Sequence, residues 1–149
     1  MVQATVEKLL EDIDTALLAS GNFGSLTIYN VDKDEDEDTD YEFDVPNIIY
    51  GIEAIPTDYF MDGSRMMSTD ISFTLNVAEF DTLNGLTRKR CVNYLMDKLQ
   101  ETLDAMTFSN VTPIEYNSSG GQVAGKVAVG EDEYVYRGNV VMSITYLDE

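Results

Sequence analysis

Along Asp70–Phe80, Ile71, Phe73, Leu75 and Val77 are apolar and Ser72, Thr74 and Asn76 between them are polar. A period of two marks a strand with one buried and one wet face. After the breaker Asn84-Gly85 the period changes. Val92, Leu95, Met96, Leu99, Leu103 and Met106 recur at steps of three and four, one apolar stripe on a helix over Thr87–Met106. Thr87 is placed to cap its first turn through the hydroxyl. The two periodicities together predict Ile71, Phe73, Leu75 and Val77 packed under Leu95, Leu99 and Leu103.

The same pattern predicts an earlier amphipathic helix over Thr5–Ser20, with Val6, Leu9, Leu10, Ile13 and Leu17 on its buried stripe. Gly21 is suited to end it in a left-handed conformation. A short strand over Ser25–Asn30 follows, and Tyr41–Val45 alternates again as a strand that could pair back to it. Asn47–Ile55 is a more apolar strand closed by Pro56. Val111–Tyr116, Gln122–Val129 and Glu133–Leu147 complete the set, with Asn117–Gly121 between the first two as a flexible turn. The expectation is one α+β domain over residues 1–149, a mostly antiparallel sheet with both helices packed on one face.

One connection does not read as an ordinary loop. Thr57–Thr69 carries Tyr59, Phe60, Met61, Met66 and Met67 around Asp62-Gly63. So many apolar groups in a linker suggest an arm covered by another chain, which makes these five the candidates for a subunit interface.

Charge narrows the function. Among 149 residues there are 28 acids against nine Lys and Arg and no histidine, for a net of −19. Direct DNA binding over a broad face is disfavoured, since Arg88-Lys89-Arg90 is the one basic cluster. Without histidine, Ser-His-Asp and Cys-His nucleophiles are excluded. Cys91 stands alone, so no internal disulfide forms, and it reads as a packed thiol. The segment Asp32–Asp44, nine acids and one lysine, reads as a solvated acidic loop. A calcium loop needs glycine at its sixth position and glutamate at its twelfth. Counting from Asp32 these are Glu37 and Phe43, and from Asp34 they are Thr39 and Val45, so neither register fits. No catalytic, cofactor-binding or metal-ligating residue emerges, and no apolar run is long enough to span a bilayer.

The order of elements resembles the tail terminator (tail-completion) proteins of long-tailed bacteriophages. The shared features are an amphipathic helix at the start, strands, a strand of the Ile71–Val77 kind, a helix like Thr87–Met106, and closing strands. The likeness covers most of the chain as a pattern of elements, and the acidic insertion Asp32–Asp40 departs from it. The resemblance implies a non-enzymatic structural protein of the virion, made in the host cytoplasm and forming a hexameric ring at the tail–neck junction. It also implies tail-tube and head–tail connector proteins as neighbours, and DNA as a passing cargo that is not bound. The charge is consistent with that role, because acidic walls repel a polyanion. A reading from another class is an acidic DNA mimic that inhibits a DNA-binding enzyme. That reading uses the charge but leaves the apolar stretch Thr57–Thr69 without a purpose.

Overall fold

The inward row of the central strand runs further than its apolar core suggests. In the computed structural model Met67, Ile71, Phe73, Leu75 and Val77 are fully buried and Thr69 nearly so, all on one face of a single strand. The structure describes residues 2–30, 46–52, 57–61, 64–121, 125–130 and 133–148. Its elements in chain order are α1 (Val2–Ala19), β1 (Thr27–Asn30), β2 (Asn47–Ile52), β3 (Thr57–Met61), β4 (Ser64–Ala78), α2 (Arg88–Ala105), β5 (Thr112–Gly120), β6 (Gly125–Gly130) and β7 (Glu133–Asp148).

The two longest strands, β4 and β7, form an antiparallel spine from Arg65↔Asp148 to Ala78↔Val135. Each also pairs along its outer edge with two shorter strands. On β4 these are β3 and β2, and on β7 they are β5 and β6. Among the described residues the sheet has seven strands, with the path β1-β2-β4-β7-β5. Their ladders are antiparallel except β1–β2, which is parallel with Thr27 opposite Asn47.

Both helices contribute their apolar stripes to one core on the inward face. Leu9, Leu10, Ile13 and Leu17 of α1 and Val92, Leu95, Leu99 and Leu103 of α2 join Ile48, Tyr50, Phe73, Val140, Met142 and Tyr146 there. The fold is the expected α+β class. Gly21, at φ +77°, takes the left-handed conformation just past α1. Asn84 and Gly85, at φ +53° and +74°, make the tight turn that their sequence favours, with Leu83 and Leu86 bonded across it in both directions.

The outward face of the spine is polar and cross-linked by side chains of opposed residues. Ser68 bonds Thr145 at 3.2 Å, Thr74 donates to Asn139 at 3.2 Å, and Arg137 Nε donates to Asn76 Oδ1 at 2.7 Å. Asn76 in turn donates to Asn47 on β2 at 2.9 Å, and both asparagines are fully buried.

Several expectations are corrected. The stretch 57–69 is not a loose connection: Thr57–Met61 pairs back onto Ser64–Ser68, so β3 and β4 form a hairpin. The alternation of β4 simply continues toward its N-terminus through Met67 and Thr69. Asn117–Gly120 is not a flexible turn but the end of β5, held against Val140–Ser143 of β7. Thr87 precedes α2 in an extended conformation and makes no side-chain cap. Only its carbonyl serves the helix, accepting from Cys91 N at 3.2 Å. The acidic segment 32–44, and the strand expected over Tyr41–Val45, lie outside the described residues.

Candidate functional site

A concavity lies between α1 and β1, at one end of the strand order. Beyond α1 the chain turns at Gly21, and Phe23 and Leu26 fold back beneath the helix, with Leu26 N bonded to Phe23 O at 3.0 Å. This leaves an open cleft of about 1050 Å³ between the helix and β1. Leu10, Leu17, Phe23, Leu26 and Ile28 make it apolar, and Glu7, Glu11 and Asp14 line it with carboxylates. Asp14 also accepts from Tyr50 OH at 3.3 Å, which ties the helix to β2. Leu18, 68% exposed, stands at the cleft. Such a cleft can take an apolar group that carries positive charge around it.

The far side of α1 is fastened differently. Asp12, only 2% exposed, accepts from Ser109 N, Ser109 Oγ, Asn110 N and Asn110 Nδ2 at 2.9–3.2 Å. A buried carboxylate with its lone pairs filled this way is a structural clamp.

Of the five interface candidates, Met66 and Met67 are buried inside their own chain, at 8% and 0% exposure. Tyr59, Phe60 and Met61 lie on β3, opposite Met66, Arg65 and Ser64. The hairpin thus brings all five to one end of the spine, but Met67 already serves the core and Met66, its neighbour on β4, is buried on the opposite face. Cys91 is wholly buried on α2. Burial pushes its thiol pKa up and the Asp81 carboxylate adds to this, against a lowering backbone hydrogen bond at Leu83. That environment favours the inert thiol.

Residues that sequence reasoning missed are Leu18 and Phe80, exposed at 68% and 85%. The available signal was that each falls off the buried row of its element. Among the described residues no group of three or more acidic, Cys or His side chains is arranged to hold a metal ion. No helix among the described residues is long and apolar enough to cross a membrane. No known protein-family model matches this chain, and no curated protein matches it.

Proposed function

We propose that this protein is a non-enzymatic ring subunit of the phage tail-terminator kind, assembling with copies of itself at a tail–neck junction. In this reading it sits in the virion, ends the tail tube, contacts tube and connector proteins, and lets DNA pass unbound. The hexameric ring size comes from the resemblance. One observation carries the reading: among the described residues β5 ends the strand order with β7 as its one strand partner, which leaves its outer edge open. Open edges of this kind are surfaces that neighbouring subunits use. The net charge of −19 supports a passage to which a polyanion does not stick.

Sedimentation at low and moderate salt, with and without tail-tube protein, tests it. A ring subunit self-associates or joins the tube, and does so more strongly as rising salt screens the repulsion between acidic copies. A protein that stays monomeric under every condition and never joins a tube overturns the reading. Tight binding to a basic DNA-handling enzyme, weakening as salt rises, would instead support the DNA-mimic alternative.

A further inference from the structure

We infer that Phe80 of one copy seats in the α1–β1 cleft of a second copy, so that each subunit gives one aromatic and receives one. The inference rests on the ring-subunit reading and names the contact that would build the ring.

Phe80 lies on the turn after β4 and is the most exposed large apolar residue among those described, at 85%. It has no place in its own core. The cations around that end of the molecule are unusual for so acidic a chain. Arg88, Lys89 and Arg90 are all exposed at the start of α2, and Arg88 reaches back to Glu79, beside Phe80, at 3.4 Å. Lys126 belongs to the same end, because it pairs with Tyr136, which in turn faces Val77 just before β4 finishes. Its ammonium sits 4.4 Å above the ring of Tyr134, itself 38% exposed. Glu79, Asp81 and, by the same register, Glu133 at the start of β7 offset part of this charge, and Asp81 is occupied by Ala78 N at 2.8 Å. The result is an aromatic knob with a basic collar.

The cleft has the opposite character. Its lining mixes Leu10, Leu17, Leu18, Phe23, Leu26 and Ile28 with polar groups, and its carboxylates, Glu7, Glu11 and Asp14, come from α1, whose one cation, Lys8, does not line it. Knob and cleft therefore match in both polarity and charge. Thr27 at the cleft is joined through Asn47 of β2 to Asn76 of β4, four residues before Phe80, so knob and cleft are two patches near one end of the sheet. When a subunit gives its knob to one neighbour and takes another's into its cleft, the contact is heterologous and closes into a ring or continues as a filament. Exchanged reciprocally between two copies, the same contact stops at a dimer, which sedimentation distinguishes from a ring. Close pairs inside this contact are screened less than the long-range repulsion between copies, so moderate salt still favours assembly.

The test is sedimentation equilibrium of the full chain and of two variants with changes confined to exposed positions. Phe80→Ser removes the knob and keeps the cleft. Glu11→Lys with Leu18→Lys spoils the cleft and keeps the knob. With melting curves unchanged, each variant alone should associate at least about 30-fold more weakly than the unaltered protein, as loss of a central aromatic anchor does. Mixed in equal amounts they should form a one-to-one pair that grows no further, because only one good contact remains. If the cleft variant alters folding, Glu11→Arg and Arg90→Glu read the same pairing, each weakening assembly and the combination restoring it. Assembly of Phe80→Ser at full strength, or a mixture that stays monomeric, overturns the inference while leaving a ring built through other surfaces. Loss of assembly in the cleft variant alone means that something other than Phe80 occupies the cleft. An unaltered protein that never self-associates removes the ring reading itself.

Discussion

Met96 of α2 lies directly over Gly138 of β7. A Cβ built at Gly138 would meet Met96 Sδ at 2.5 Å and Val92 Cγ1 at 2.7 Å. Gly138 faces inward opposite Leu75, in a row where its neighbours are Tyr136, Val140 and Met142. The missing side chain lets the helix approach the spine at the point where β7 passes from its pairing with β6 to its pairing with β5. Met96 could swing aside, but Val92 is β-branched and stiff.

Gly138→Ala should therefore destabilise the fold by about 1–3 kcal/mol through overpacking, in spite of alanine's lower unfolded-state entropy. Urea unfolding measures it. A loss below about half a kcal/mol would mean that α2 can shift without cost.

Asp12 predicts a second effect. Asp12→Asn keeps the shape but turns an amide NH2 toward donors on Ser109 and Asn110. The expected cost is about 1.5–3 kcal/mol, the range for hydrogen bonds to a buried charge. Because the clamp joins α1 to the chain after α2, hydrogen exchange in α1 should rise together with that around Ser109 and Asn110. Faster exchange confined to α1 would show that the carboxylate does not link the two.

How legible these features are from sequence depends on the distance over which they are decided. The facing of Ile71, Phe73, Leu75 and Val77 toward Leu95, Leu99 and Leu103 follows from local periodicity, and all seven are buried. Asn117–Gly120 has turn composition yet forms strand, because pairing with Val140–Ser143 of β7 overrides local preference. The parallel pairing of β1 with β2 leaves no mark in either segment, since such a ladder joins strands that are not neighbours in a hairpin. The apolar residues of 57–69 stand out in the sequence but their place in a strand does not: Met67 alternates with Thr69 and Ile71 only when β4 is extended backward through Asp70. The α1–β1 cleft depends on how Phe23 and Leu26 return under the helix, which no pattern of spacing encodes.

Cys91 gives a pH dependence. Burial raises the thiol pKa in the folded state above its unfolded value. Below the unfolded value, about 8.5, both states hold the proton and stability is unaffected. Above it the unfolded chain loses its proton first, so stability falls as pH rises toward the folded value. The stability of the unaltered protein should therefore decline relative to that of Cys91→Ala between pH 7.5 and 10, by urea unfolding at each pH. A constant difference would mean that the thiol titrates alike in both states. Disulfide-exchange reagents should label Cys91 only as the protein unfolds.

The β3–β4 hairpin can be divided by mutation into a part that folds the chain and a part available to a neighbour. Met67 is fully buried, in the row with Ile71 and Phe73, so Met67→Ser should cost about 2–5 kcal/mol whatever the assembly state. For a chain of this length that lowers the melting temperature by several degrees at least. Phe60 and Met61 belong to β3, which has only β4 as a strand partner among the described residues. If the expectation of a subunit contact holds, Phe60→Ser with Met61→Ser weakens self-association while the monomer melts as before. Thermal unfolding at a concentration where the protein is monomeric, beside sedimentation at a higher one, separates the two effects. Should the double variant melt early, like Met67→Ser, the hairpin serves its own core alone, and the contacts of a ring must be sought at the cleft and the open strand edges.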